Sequence, residues 1–217
     1  QTLVAFDWAL TVLSDPEYQW IEVDSVAWAV DVVVIGKVDG TKICCQCKKN
    51  QKAFKAWSVS DLADELGKAI SLLQKDDQTL VRFYSRNDFG ELSALREYST
   101  NYADAASYKI NLGTAHRQTE AKLALLFADQ GLEVSTYELL QRTEFVVSDD
   151  LERMKTLLHE RLRQLVSNPI AAYMALWTRL DHLGMRMAGD GSSATAQHRL
   201  TKSDLGDILT QAGAMLS

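Results

Sequence analysis

The sequence lacks any uninterrupted apolar stretch near the roughly 20 residues that a membrane-spanning helix needs, and its start lacks the basic-then-apolar order of a secretory signal. Only three cysteines occur, Cys44, Cys45 and Cys47, and no distant cysteine is available to close a disulfide loop with them. Their spacing also lacks the two-residue gap and the second pair of a zinc site. We therefore expect a cytoplasmic protein whose cysteines are reduced and pack in its interior.

An initiator methionine is also missing. The chain begins at Gln1, and apolar residues recur at helical spacing from there to Leu13, where Ser14-Asp15-Pro16 ends the run. A start inside a helix predicts a piece cut from a longer protein.

Net positive charge is lacking, since 29 acids outnumber 23 basic residues and give a net charge of -6, but one interval of the chain is strongly basic. The interval from Lys37 to Trp57 carries six lysines and one acid, a balance of +5 that leaves -11 for the remainder. This balance argues against a protein that coats nucleic acid along its whole surface. The basic interval is compatible with local phosphate binding and equally with lysines that protect an exposed sheet edge.

The patterns predict an α/β fold with a mixed sheet flanked by helices and a mostly helical C-terminal half. A strand at 20–23, a hairpin of strands 29–35 and 42–48, a helix from an N-cap at Ser60 to about Gln74, and a strand at 79–84 follow the first helix. Helical periodicity then covers 115–128, 135–141, 149–166 and 169–183, and Thr201 caps a last helix to about Met215. We expect a core domain at 1–112 and a helical extension at 113–217, packed on the core or used for oligomerisation.

The predicted hairpin places polar residues in two otherwise hydrophobic strands. If Asp39-Gly40 is a two-residue turn flanked by Val38 and Thr41, an antiparallel ladder sets Val33 across from Gln46, and Asp31 across from Lys48. Because alternate residues of a strand share a face, Gln46 and Lys48 point the same way, and Cys45 and Cys47 point the other way. The pair of Asp31 and Lys48 is then either a cross-strand ion pair on a solvated face or part of a site.

This arrangement resembles the signature of PD-(D/E)XK nucleases, an Asp in one strand followed after a turn by an acid or Gln, any residue, and Lys. Here it is Asp31 in Val30-Asp31-Val32, then Gln46-Cys47-Lys48. With Trp20-Ile21-Glu22-Val23-Asp24, the strand Val81 to Ser85 and the helical tail, it is similar to the double-stranded-DNA endonuclease domain of bacterial anti-phage effectors. In SAVED-type and STAND NTPase defence proteins, that domain lies at the N-terminus. The resemblance implies a restriction-endonuclease-like sheet.

The resemblance also implies a site for Mg²⁺, or for Mn²⁺ in its place. Asp31 would supply a carboxylate, Gln46 an amide oxygen and Cys47 its backbone carbonyl, while Lys48 would orient the attacking water and support the negative transition state. Asp7, in Phe6-Asp7-Trp8, is a further metal ligand on the first helix or a plain surface acid. Glu22 and Asp24, which flank the hairpin, are similar candidates, and the alternative for both is a solvated strand end.

Four cations near these strands, Lys49, Lys52, Arg82 and Arg86, are predicted to contact DNA phosphates, although exposed loop cations are common without that role. Taken together, the sequence predicts a magnesium-dependent endonuclease for double-stranded DNA with little base specificity. Expected partners are DNA, further copies of the chain, and a sensor or NTPase domain of the same parent chain, with no membrane partner. The alternatives are a catalytically inactive nuclease-like module that binds protein or DNA, and an enzyme that acts on RNA.

Overall fold

A computed structural model describes residues 1–23, 33–48, 55–129, 131, 135–185 and 198–216. The helices are α1 (Thr2–Ser14), α2 (Ala63–Lys75), α3 (Gly90–Ser99), α4 (Ala105–Asn111), α5 (Thr114–Asp129), α6 (Thr136–Gln141), α7 (Leu151–Leu165), α8 (Pro169–Met185) and α9 (Lys202–Gln211). The strands are β1 (Tyr18–Val23), β2 (Val33–Lys37), β3 (Lys42–Cys47), β4 (Thr79–Ser85), β5 (Thr143–Val147) and β6 (Arg199–Thr201). In the part of the chain that these ranges cover, no helix combines the length and apolarity needed to cross a membrane.

The strands form one six-stranded sheet in the order β5-β4-β3-β2-β1-β6. Both β2 and β6 pair antiparallel with β1, whereas β5 pairs parallel with β4. Helices pack on this sheet, including α1 on β1 and α2 on β4. The predicted α/β class, with a mixed sheet flanked by helices, is confirmed.

The chain divides into two compact units. The first unit comprises residues 1–44 and 149–217, and the second unit comprises residues 45–148. Within the first unit, α7, α8 and α9 pack against α1, and β6 extends the sheet from β1. This division differs from the predicted single boundary between residues 112 and 113, because the last helices share a core with the first one.

Helix α1 is the centre of the first unit's core. Its nine buried residues lie on nearly every side of the helix: Leu3, Val4, Ala5, Phe6, Trp8, Ala9, Leu10, Val12 and Leu13. A helix that is apolar almost all round must be covered by several neighbours. The neighbours here are β1 and the three C-terminal helices, and the Phe6 ring lies 5.1 Å from the ring centroid of Tyr173 in α8.

The turn between β2 and β3 has a different register from the predicted one. Lys37 N–H donates to Thr41 O at 2.8 Å, and Gly40, with φ of 90°, donates to Lys37 O at 3.2 Å. These bonds define a three-residue loop with glycine in the left-handed conformation. The predicted pair does not form, because Val38 N–H donates to Glu17 O and Thr41 N–H donates to the Asp39 carboxylate. The predicted two-residue turn is therefore wrong, because Lys37 and Thr41 flank the loop in place of Val38 and Thr41.

A tryptophan covers a glycine on the adjoining strand. Trp20 of β1 is the cross-strand partner of Gly36, and a Cβ added to Gly36 would lie 2.0 Å from the Trp20 ring. The guanidinium of Arg199 in β6 lies 3.8 Å from the ring centroid of Trp20 and forms an ion pair with the fully buried carboxylate of Glu22. Edge strand β6 is thus fixed to β1 by a ring contact and a buried charge.

In the second unit, one arginine joins a helix end to a strand. The Arg142 guanidinium donates to Leu73 O at 2.9 Å and to Thr79 O at 3.0 Å, and it also contacts Asp76 O. Leu73 lies in the last turn of α2, whose terminal carbonyls have no partner within the helix. Arg142 therefore satisfies the acceptors between α2 and β4.

Candidate functional site

The C-terminal ends of β3 and β4 lie side by side, and two of the predicted site residues occupy that end of β3. Lys48 directly follows β3, and its N–H donates to Tyr84 O at 2.8 Å. Gln46, two residues earlier, is 5% exposed. Because the backbone bond of Lys48 continues the ladder, alternation directs the side chains of Gln46 and Lys48 to the same face.

The Lys48 ammonium is held by two residues that the sequence did not single out. It forms an ion pair with Glu65 of α2, and the two side chains are only 18% and 20% exposed. The ammonium also lies 5.4 Å from the ring centroid of Trp57. A carboxylate and the negative face of an indole ring both attract a cation, so they fix the ammonium from two sides.

Trp57 is itself fixed in place. Its indole N–H donates to Ser85 Oγ at 2.8 Å, and its backbone N–H donates to Asp88 O at 2.8 Å. Ser85, the last residue of β4, is buried and also accepts from Asn87 N–H at 3.0 Å. The ring that faces Lys48 is thereby anchored to the end of β4.

Glu65 reaches Lys48 because of where α2 begins. A 3₁₀ turn at Ser60–Leu62 precedes the helix, which starts at Ala63, so the predicted N-cap at Ser60 is wrong. Ser58 instead binds the Asp61 carboxylate. Glu65 lies in the first turn of α2, where the helix dipole favours acids. A helix that follows a strand begins near the C-terminal end of that strand. This rule could have predicted that Glu65, in the first turn of α2, lies near Lys48 at the end of β3.

The predicted phosphate-binding cations differ in their surroundings. Arg82 forms an ion pair with Glu144 of β5, and its guanidinium donates to the Tyr84 hydroxyl at 3.4 Å. Arg86 is exposed in the loop after β4. Lys49 and Lys52 lie outside the described residues, as does Asp31, so the predicted pairing of Asp31 with Lys48 stays a prediction.

Asp7 belongs to the first unit and lies on the exposed side of α1. Its carboxylate forms an ion pair with Arg161 of α7, which also donates to Thr11 Oγ1 at 3.2 Å. Asp7 therefore joins two helices of the first unit, and its role as a metal ligand stays a prediction.

Oxygen donors of the kinds that magnesium prefers are present at the end of β3. They are the Gln46 amide and the Cys47 backbone carbonyl, whereas the Glu65 carboxylate of α2 forms an ion pair with Lys48. Among the described residues, no group of three or more acids, histidines or cysteines is placed to hold a metal ion. The donors fit magnesium in type and fall short in number, and water ligands ordinarily complete its coordination.

Comparison with known proteins gives a structural match only. No protein-family model and no curated protein matches the sequence. Among solved structures, the chain is similar to the Acinetobacter baumannii Cap4 SAVED/CARF-domain containing receptor with the cyclic trinucleotide 2'3'3'-cAAA, with a TM-score of 0.60 and 10% identity over 98% of this chain and 44% of that chain. The values are the same for Cap4 with 3'3'3'-cAAA, and a further Cap4 structure gives a TM-score of 0.59 and 9% identity, covering 98% of this chain and 45% of that one. The chain thus spans less than half the length of Cap4 and shares the fold of that part.

Proposed function

We propose that this chain is a magnesium-dependent endonuclease domain that cuts double-stranded DNA with low sequence specificity and serves as the effector part of an anti-phage defence protein. One observation carries the proposal. Lys48 is held at the joined ends of β3 and β4, with the buried amide of Gln46 two residues before it on the same face.

The fold supports the defence setting. Nearly the whole chain aligns with part of Cap4, a SAVED/CARF-domain containing receptor whose structures include complexes with cyclic trinucleotides. We propose by analogy that the parent protein carries a sensor or NTPase domain outside this chain, and that copies of the parent assemble when the sensor is occupied. The cytoplasm is the expected location of such a receptor.

In the proposed reaction, Lys48 acts through its positive charge. Attack of water on a phosphodiester places negative charge on the phosphate oxygens, and a fixed ammonium stabilises that charge without having to reorganise. Gln46 and the Cys47 carbonyl would hold the metal with Asp31, the predicted carboxylate outside the described residues. Magnesium, when bound, would polarise the phosphate and supply a bound water. Lys49, Lys52 and Arg86 would contact the DNA backbone.

The test is cleavage of supercoiled plasmid with Mg²⁺ by the purified wild type and by Lys48→Ala, Gln46→Ala and Asp31→Ala. We expect Lys48→Ala to lower the rate by about 100-fold or more, since removal of one transition-state donor costs that much. Lys68→Ala is a matched control, because Lys68 is an exposed lysine of α2 and should cut like the wild type. Thermal unfolding of each variant must match that of the wild type.

The same experiment separates the alternatives. A wild type that is assembled, folded and loaded with Mg²⁺, yet cuts neither plasmid DNA nor RNA, would favour the inactive binding module. Preferred cutting of RNA in a parallel assay would keep the enzyme and change its substrate.

A further inference from the structure

The Lys48 ammonium contacts both the Glu65 carboxylate and the Trp57 ring. A lysine side chain loses rotamer entropy when it is fixed in one position. Glu65 and Trp57 fix it from two directions before any substrate is present. A catalytic charge that is already in place avoids this loss during the reaction.

The Lys48–Glu65 pair differs from the surface ion pairs of the same unit. Its side chains are 18% and 20% exposed, whereas those of Lys122 and Glu91 are 43% and 30% exposed. A solvated pair contributes little to stability and is screened by salt. The Lys48–Glu65 contact is shielded more, so it defines the position of the ammonium better.

Trp57 adds a direction that the carboxylate alone does not give. The Trp57 indole N–H donates to Oγ of Ser85, the last residue of β4. The carbonyl of Tyr84, the residue before Ser85, accepts the backbone N–H of Lys48. The Trp57 ring and the Lys48 backbone are therefore both hydrogen-bonded to the same strand, β4. Movement of the ammonium away from β4 would break contact with the ring.

We infer that Glu65 and Trp57 are positioning residues that hold the Lys48 ammonium at the end of β3 for its role in phosphodiester cleavage, an inference that rests on the proposed function. Neither residue needs to touch the DNA or the metal in this role. Glu65 supplies the charge that attracts the ammonium, and Trp57 supplies the surface against which it rests.

The experiment compares Glu65→Ala, Glu65→Asp and Trp57→Phe with the wild type in plasmid cleavage. Asp64→Asn is the matched control, because it also removes one negative charge. Asp64 is exposed and lies beside Glu65 in the first turn of α2. We expect Glu65→Ala to lower kcat by about 10- to 100-fold with KM for DNA unchanged, since displacement of a catalytic group by about 1 Å costs that much. Glu65→Asp should restore part of the rate, and Trp57→Phe, which keeps an aromatic ring but loses the indole N–H, should lower kcat less than Glu65→Ala.

A second measurement is independent of cleavage. Acetylation of Lys48 by acetic anhydride, followed by peptide mass spectrometry, should be several-fold slower than acetylation of the exposed Lys68. Glu65→Ala should accelerate labelling of Lys48 and leave labelling of Lys68 unchanged.

A double variant tests whether Glu65 acts through Lys48. In the Lys48→Ala background, Glu65→Ala should cause no further loss of the residual cleavage rate.

The results separate the two proposals. If the wild type cuts DNA and Lys48→Ala does not, but Glu65→Ala cuts at the wild-type rate, the positioning role is wrong and the proposed function stands. A raised KM with unchanged kcat, or a loss of the same size in Asp64→Asn, would also overturn it. An assembled wild type that cuts no DNA removes the proposed function and the catalytic role of both residues, whatever the labelling shows.

Discussion

Replacing Arg142 tests how much its guanidinium stabilises the second unit through hydrogen bonds to carbonyls at the end of α2 and the start of β4. The Arg142 side chain is 13% exposed and donates to the carbonyls of Leu73, Asp76 and Thr79. A hydrogen bond from a charged donor contributes about 1.5–3 kcal/mol, and water can hydrate freed carbonyls at a helix end, so we take about 1 kcal/mol for each. Arg142→Ala should then lower the free energy of unfolding by about 3 kcal/mol, or Tm by about 6–12 °C in a chain of this size.

The assay is urea and thermal unfolding followed by circular dichroism, with Arg142→Lys and Glu138→Gln for comparison. Lysine keeps the charge but reaches fewer carbonyls than the planar fork, so Arg142→Lys should recover only a minor part of the loss. Glu138 accepts from Arg142 at 3.3 Å and is 47% exposed, so Glu138→Gln should cost about 0.5 kcal/mol or less. An Arg142→Lys variant as stable as the wild type, or a Glu138→Gln variant as unstable as Arg142→Ala, would refute the reasoning.

Three further predictions concern the first unit. Gly36→Ala should lower stability by about 1–3 kcal/mol in urea unfolding, because the added methyl overlaps the Trp20 ring; an unchanged midpoint would contradict this packing. Arg199→Met should lower the free energy of unfolding by about 2–3 kcal/mol. This loss is at or below the lower end for a buried ion pair, because Arg199 is 37% exposed. The double variant Arg199→Met with Glu22→Gln should lose less stability than Arg199→Met alone. The backbone N–H of Thr41 lowers the pKa of Asp39, so the turn is stabilised above the ordinary aspartate pKa and loses this contribution as pH falls through the lowered one. Asp39→Asn should therefore flatten the acid limb of a stability-pH curve, and an equally steep limb would count against it.

The sequence predicts the fold well where one pattern dominates. The apolar run before Ser14 is helix α1, and the alternating residues at 79–84 lie in β4. Strand β5, in contrast, begins one residue after the short helix α6, and the sequence pattern there does not predict a strand. Strand β6 has three residues and is defined by pairing with β1, which no local pattern can reveal.

The candidate site is predictable only in part, for similar reasons. A spacing of two residues is enough to place Gln46 and Lys48 on one face of a strand. The turn of the hairpin could not be obtained by counting, because the Thr41 N–H donates to the Asp39 carboxylate and the loop has three residues in place of two. Glu65 and Trp57 approach Lys48 through tertiary packing, and the sequence separates Glu65 from Lys48 by 17 positions.

The discontinuity of the first unit has a consequence for synthesis on the ribosome. Residues 45–148 emerge as a complete unit, whereas α1 must wait for α7, α8 and α9 to be translated. During that interval the nine apolar side chains of α1 lack their final cover. Nascent chains of this kind are exposed to aggregation, so folding of the first unit during synthesis should depend on holding chaperones.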